Sequence, residues 1–460
     1  MLLPMEAALG GRARIVGGHV RDLILGRTLA SDVDVVVEGA DAEVAARWLR
    51  RHWRRSEPVV AFERFGTAQL NLRLARGGLT VEFVRARAEA YDPGSRKPTV
   101  RPGTLAEDVW RRDFTVNTLL LDGRGAVTDV TGAALPDCFG CRLRTPLAPR
   151  ATFAEDPLRM LRAARFASQL DFEVDPAVVR AMTGARERLA IVSMERVRDE
   201  LLKLVLSPRP SIGLRLLERT GLLSAFAPEL SAMVGVEQGG YHVGDVFTHT
   251  LLAVDLAPPD RLVRLATLLH DVGKPPTAAR AGGGGDGRIT FHGHAEAGAR
   301  IAAELCRRLR LPHEEAARVA RIVALHMRPI QYRADWEDRA VRRLWHDAGP
   351  LRDALLAVAR ADTGASRYPS LDALDDLARR LREVAETLPQ GVVPPLDGHS
   401  LKRHFGLRDG PWIGRAQRLL VAAVVDGAVA DGDGAQAADH LARHRADWEP
   451  LPGERGAAAG

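Results

Sequence analysis

The sequence predicts an α+β multidomain protein, a mixed-sheet head over residues 1–150 followed by helical domains. Three observations carry this. Residues 10–150 alternate short β-rich runs (RIVGG, DVDVVVEG, TAQLNLRLA, LTVEFVRA, TVNTLLLD) with helical stretches such as 43–52. From about Glu155 the pattern turns helical, through EDPLRMLRAARFASQ, DPAVVRAMTGARERL, MERVRDELLKLVL and SIGLRLLERTGLLSAF. A third block, 231–370, is helical and dense in histidine, and 371–460 adds further amphipathic helices. The expected boundaries are therefore 1–150, 151–230, 231–370 and 371–460, with surface loop character at 282–288 and disorder over the last eight residues.

Composition narrows the class. With 460 residues, 46% hydrophobic and 27% charged, the chain can bury several cores. It has no apolar run of 18 or more, which argues against a membrane span, and no basic leader, so the cytoplasm is the expectation. The formal charge of +6, carried mostly by arginine, is compatible with an RNA partner. Three cysteines suit a reducing compartment. Cys138 and Cys141 form a Cys-x-x-Cys without two further suitably spaced ligands, so no zinc site is expected.

Chemistry concentrates first in 14–39, RIVGGHVRDLILGRTLASDVDVVVEG. Asp32 and Asp34 are one residue apart in a strand-like run, so their carboxylates share a face roughly 7 Å apart and can cradle a hard divalent cation. Gly17 and Gly18 allow close backbone approach to phosphates just before a helical stretch opening near Arg21 and Asp22. A phosphate-holding turn beside Asp-x-Asp suggests nucleotidyl transfer by two-metal chemistry. Glu82, mid-strand in LTVEFVRAR, is the candidate third carboxylate, since an unpaired acid inside a strand is costly. Either fragment alone would read as a turn or a solvated strand edge; their combination within 18 residues points to a site.

Two further clusters follow. In RRDFTVN, Arg111 and Arg112 offer fork-shaped donors for a triphosphate, while Asp113 and Asn117 can hold a ribose or fix loop geometry. In EDPLRMLRAARF, Asp156 and Arg159 stand i, i+3 after a Pro157 break, an acceptor beside a donor. Cytosine and adenine each present an amino donor beside a ring acceptor, which fits that edge; uracil and guanine present the reverse polarity.

These segments in this order, GGxxRDxxxG…DxD, RRDFTxN and EDxxRxxRxxRF, resemble the class II tRNA nucleotidyltransferase and bacterial poly(A) polymerase family. AYDPGSRKPTVRPGTLAEDVW resembles its flexible loop, Asp129…Gly132…Asp137 its short interdomain motif, and ERVRDELLKLVLSPRPSIGLRLLERTGLL its neck helices, so that 12–230 is covered. The resemblance implies a polymerase-β-type nucleotidyltransferase head, then an all-α neck and body and a helical tail. It implies Mg2+ on Asp32 and Asp34, with Glu82 beside them. Nucleotide contacts would come from Gly17, Gly18, Arg21, Arg111, Arg112, Asp113, Asn117, Asp156, Arg159 and Arg162, with Asp156 and Arg159 as an amino-acid template. The reaction implied is attack of the tRNA 3′-hydroxyl on the α-phosphate of CTP or ATP, releasing pyrophosphate.

The histidine block holds His249, His270-Asp271, His294, His326 and Asp362, a series that on successive helices can surround one or two metal ions. It resembles the HD phosphohydrolase superfamily. That implies an α-helical HD domain in which a divalent metal, one of Mg2+, Mn2+, Ni2+ or Fe2+, activates water against a phosphoester. Lys274 is a candidate phosphate contact. Alternatives are a poly(A) polymerase, disfavoured by the lack of a basic run over 391–460, an enzyme adding only CC or only A, an HD phosphatase or phosphodiesterase with an inactive head, and a non-catalytic RNA-binding protein.

Overall fold

The computed structural model describes residues 1–29, 31–62, 66–75, 77–90, 99–239, 243–280, 289–367, 369–388 and 391–449. The loop expected between 90 and 110 lies partly outside these residues, and the segments 282–288 and 453–460 wholly so. The chain divides into two compact units, Met1–Ser231 and Ala232–Gly460.

The first unit is built on a mixed sheet. Its elements run α1 (Leu2–Leu9), β1 (Arg12–Val16), α2 (Gly18–Ile24), β2 (Asp32–Glu38), α3 (Ala42–His52), β3 (Val60–Phe62), β4 (Thr67–Leu74) and β5 (Gly77–Arg85). A hairpin of β6 (Arg87–Ala90) and β7 (Thr99–Pro102), helix α4 (Leu105–Trp110), β8 (Leu120–Leu121) and β9 (Val127–Thr128) follow. The sheet order is β3-β4-β5-β2-β1-β8-β9, with β2 parallel to β5 and antiparallel to β1. Alternation along β2 sends Val33, Val35 and Val37 into a core shared with Ala42, Ala45, Ala46 and Leu49 of α3 and with Leu70, Val81 and Phe83. The opposite face carries Asp32, Asp34, Val36 and Glu38. Only its far part is covered, where Val36 packs with Val16, Leu105 and Val109. Toward the other end of that face Asp32 is exposed and Asp34 half-buried.

The sequence expectation differs at TVNTLLLD. Thr115–Asn117 form a 3-10 turn and only Leu120–Leu121 enters the sheet. The Thr115 hydroxyl bonds Asp137 at 2.6 Å and Asn117 is tied to Asp113, so local side-chain bonds outcompete strand pairing. Beyond the sheet come α5 (Ala134–Phe139), α6 (Pro149–Glu155), α7 (Leu158–Leu170), α8 (Pro176–Ala185), α9 (Met194–Val205) and α10 (Pro210–Arg219). Pro157 separates α6 from α7, and Asp156 is the extended residue between them. Cys138 is buried and Cys141 exposed, and neither is disulfide-bonded.

The second unit is almost wholly helical, including 246–256, 261–269, 294–308, 313–325 and 352–364, then 372–387, 398–405, 412–426 and 434–443. No helix among the described residues is long and apolar enough to cross a membrane.

Candidate functional site

Strand pairing assembles the first site. Asp34 of β2 stands opposite Val16 of β1 and Glu82 of β5, and Asp32 opposite Thr80, so three carboxylates lie on one sheet face. Directly after β1, Gly17 adopts φ 81° and ψ −147°, a conformation open essentially to glycine alone. A Cβ there would lie 3.2 Å from Asp34 Oδ2 and 3.8 Å from Arg112 Nη1. The glycine turn, the Asp-x-Asp carboxylate and the second arginine of RRDFTVN therefore converge on one spot.

Burial raises the Asp34 carboxyl above its usual range; Arg112 opposes the shift and Asp32 adds to it. Glu82 is raised as well, by desolvation first and then by Asp34 and Asp32. Three carboxylates crowded on one face, two of them partly desolvated, form a donor set suited to a hard cation. Glu82 nevertheless keeps an exposed side chain. The cost of a carboxylate inside a strand, which singled it out in the sequence, does not apply on this open face.

A buried polar chain lies behind the spot. Arg21, on α2, donates to Asn117 Oδ1 at 2.7 Å and pairs with Asp22. Asn117 donates to Asp113 Oδ1 at 3.1 Å, and Asp113 Oδ2 accepts from Arg162 Nε at 2.7 Å. Arg162 lies 3.8 Å and Arg165 2.9 Å from the buried Glu200 of α9. The guanidiniums of Arg21, Arg162 and Arg165 all lie over the Phe166 ring. Asp113 and Asn117 are thus taken up by loop-fixing bonds, and Arg165 and Glu200 belong to the network although the sequence alone does not single them out. Arg165 was legible as the third arginine of RxxRxxR; Glu200, from a distant helix, gave no signal.

Asp113 illustrates the energetics. Burial opposes its charge, but Arg162, Asn117 and the Phe114 N–H hold its pKa down to about 2. An unfolded-state value near 3.8 then means that the native state binds fewer protons between those pH values. The contribution, about 2 kcal/mol, is present above pH ~4 and is lost as pH falls through 2. Denaturation of Asp113→Asn beside the parent should show a gap of about that size at pH 7 that narrows below pH ~4 and closes only below about pH 2.

Each member of the expected template pair has partners of its own in this structure. Asp156 Oδ2 accepts from Arg196 at 2.9 Å and its Oδ1 from the Leu158 N–H at 3.1 Å. Arg159 pairs with Glu155 at 2.9 Å and donates through Nη2 to the Arg111 carbonyl at 2.6 Å. The break at Pro157 puts Asp156 outside the helix, so the i, i+3 spacing does not enforce a shared helical face.

The second unit gathers the histidine series. His249 and Asp362 lie within helices, His270 and His326 at helix C-termini, and His294 opens 294–308. Gly273 permits the close packing behind this: a Cβ there would meet the His294 carbonyl at 2.1 Å. His249, His270 and Asp271 form one group and Asp271, His294 and His326 another, with donor atoms within 4.8 Å of one another. Asp362 accepts from His249 Nε2 at 2.8 Å and faces His270 at 3.7 Å. His292 belongs to neither group.

The donor set fits a cation. Nδ1 of His270, His294 and His326 each lies 2.7–2.8 Å from a backbone carbonyl, which places a proton on Nδ1 and leaves Nε2 of His294 and His326 as the lone-pair atom. Nε2 of His294 and Nε2 of His326 then face each other at 3.3 Å, two acceptors that need a positive charge between or beside them. His270 Nε2 and Asp271 Oδ2, 3.2 Å apart and buried, lack hydrogen bonds of good geometry. Although burial opposes it, Asp271 and Asp362 raise the His270 pKa to about 9, while burial and His270 push His326 down to about 4. Lys274 donates to Gln238 at 2.9 Å and pairs with Asp271 at 2.7 Å. The metal groups found among the described residues include neither Cys138 nor Cys141.

Comparison with known proteins gives these sites a context. Residues 13–137 match the poly A polymerase head domain, 171–233 the probable RNA and SrmB-binding site of polymerase A, and 240–363 the HD domain. The CC-adding tRNA nucleotidyltransferase of Thermus thermophilus is 37% identical over 92% of both chains. The A-adding tRNA nucleotidyltransferase of Deinococcus radiodurans is 38% identical over 70% of this chain and 76% of its own. The multifunctional CCA protein of Chromobacterium violaceum is 33% identical over 82% of this chain and 92% of its own. The crystal structure of the Bacillus stearothermophilus CCA-adding enzyme in complex with CTP superposes with a TM-score of 0.69, at 24% identity, covering 97% of this chain and 96% of that one. With relatives this similar along most of its length, the chain belongs to the tRNA nucleotidyltransferase family of the poly(A) polymerase type, and it carries an HD domain.

Proposed function

We propose that the chain is a tRNA 3′-terminal nucleotidyltransferase adding C and A from CTP and ATP without a nucleic-acid template. The observation carrying this is the convergence of Gly17, Asp34 and Arg112 on one open sheet face, in a chain of this family. Asp32 and Asp34, with Glu82 beside them, hold Mg2+, which when bound stabilises the charge that develops as phosphate is transferred. Gly17 and Gly18 admit the phosphates at the start of α2. Arg111 and Arg112 grip the triphosphate, and Arg21, Asp113, Asn117 and Arg162 brace the floor of the site. The 3′-hydroxyl attacks the α-phosphorus, the bond to the bridging oxygen breaks, and pyrophosphate leaves.

Asp156 accepts from the amino group of cytosine or adenine, and Arg159, oriented by Glu155 and the Arg111 carbonyl, donates to the adjacent ring nitrogen. Arg196 neutralises Asp156 while no base is present. Residues 1–150 act as the head, 151–230 as template and neck, 231–370 as the HD domain and 371–460 as the tail. In this reading the reaction belongs to the cytoplasm, where CTP, ATP and tRNA meet.

The HD residues His249, His270, Asp271, His294, His326 and Asp362 hold one or two divalent ions of the Mg2+, Mn2+, Ni2+ or Fe2+ class, Asp271 being common to both donor groups. Such ions supply an activated water for phosphoester hydrolysis. Asp362 orients His249, and Lys274 contacts the phosphate.

The test uses tRNA transcripts ending at the discriminator base, at C or at CC, with Mg2+ and each nucleoside triphosphate alone, then CTP and ATP together. Extension that stops at CCA, without use of UTP or GTP, is the expected result. A stop at CC, or extension of the CC transcript alone, assigns one of the split activities borne by the two relatives above. Long A tracts overturn the reading in favour of a poly(A) polymerase. Asp156→Asn, which mixes donor and acceptor at the template, should lower CTP use by about 10²-fold relative to UTP.

A further inference from the structure

Asp108, on α4, is fully buried. Its two oxygens are divided between the two arginines of RRDFTVN. Oδ1 accepts from Arg111 Nε at 3.0 Å, and Oδ2 accepts from Arg112 Nε at 3.2 Å and Nη2 at 2.9 Å. The helix presenting it is fixed at its start, where Thr104 and Glu107 form a reciprocal capping box. From this anchor Arg112 extends Nη1 to the spot shared by Gly17 and Asp34 Oδ2, and the Arg111 carbonyl receives Arg159.

A helical i, i+3 or i, i+4 ion pair on a surface contributes a few tenths of a kcal/mol. Asp108 is different, because an acid withdrawn from water is tolerated only where paired charges require it. One buried negative charge holding two mostly buried cations leaves a net positive charge facing the site. It also removes the rotamer freedom of both guanidiniums, which would otherwise be lost when a nucleotide binds.

We propose that Asp108 is a positioning residue for the nucleotide triphosphate: its two oxygens lock the forks of Arg111 and Arg112 so that a polyphosphate meets them already oriented, Arg112 beside Gly17 and Asp34. This rests on the reading that those arginines hold the triphosphate.

Asp108→Asn, Asp108→Glu and Arg112→Ala test it by steady-state extension of a tRNA transcript with CTP, and by inhibition with inorganic pyrophosphate as the probe. In Asp108→Asn the KM for CTP and the Ki for pyrophosphate should each rise about tenfold or more, with kcat and the KM for tRNA within about twofold. Asp108→Glu, which keeps the charge, should recover part of both. A purely structural role would lower the active fraction, and so kcat, without moving KM or Ki. Unchanged KM and Ki in Asp108→Asn, while Arg112→Ala raises both, overturns the proposal and leaves the triphosphate reading intact. Unchanged values in Arg112→Ala overturn the triphosphate reading and the proposal with it. If Asp108→Asn does not fold, Asp108→Glu decides: its longer reach displaces both forks, so parental KM and Ki there also overturn the proposal.

Discussion

Asp34→Asn should abolish nucleotide addition, lowering the rate on the order of 10³-fold or more, because several kcal/mol of charge stabilisation at the transferred phosphate goes with the lost carboxylate. It should not unfold the protein. A carboxyl whose pKa is raised in the folded state, as burial and Asp32 raise that of Asp34, opposes folding at neutral pH. The metal-free Tm of the variant should therefore equal or exceed that of the parent, the mark of a residue kept for chemistry. Gel-resolved extension and a thermal melt on one preparation give both readouts. A variant that still adds nucleotides within about tenfold of the parent rate would remove Asp34 from the metal set.

Asp271→Asn should have the complementary effect. Its carboxylate is common to both histidine groups and also partners Lys274, so hydrolysis of bis(p-nitrophenyl) phosphate should fall on the order of 10³-fold. Bound metal, counted by elemental analysis, should fall by at least one equivalent per chain. The metal-free protein should also lose stability, by about 3–5 kcal/mol, since the buried carboxylate paired with both His270 and Lys274 is removed. Nucleotide addition should be retained. If addition disappears with hydrolysis, the two units do not carry separate chemistries.

The sequence disclosed the parts of the site that depend on spacing along one strand or one short segment. Asp32 and Asp34 alternate within β2, Gly17 follows β1, and the arginine pair is contiguous, so each was readable from a few neighbouring residues. The helical histidine series was readable for a similar reason, since its residue types are rare in apolar helices. What the sequence concealed depends on tertiary approach. Arg196 reaches Asp156 across 40 positions, and Glu200 receives Arg162 and Arg165 from another helix. Nothing in the spacing of the charged segment around Asp108 marks its complete burial. The run at Thr115–Asn117 reads as strand in the sequence because its β-branched residues satisfy the propensity, while the Thr115 hydroxyl bond to Asp137 directs the backbone into a 3-10 turn.

The donors of the HD cluster come from five separate helices spread between positions 249 and 362, and only His270 and Asp271 are neighbours in the chain. An extended polypeptide therefore has almost no affinity for the ion, and all the binding free energy falls on the folded side of the equilibrium. Free cation at a hundred times its dissociation constant would add about 2.7 kcal/mol to the stability of the 232–460 unit. Metal supply would then govern how many copies of the enzyme survive proteolysis as well as how fast each one works.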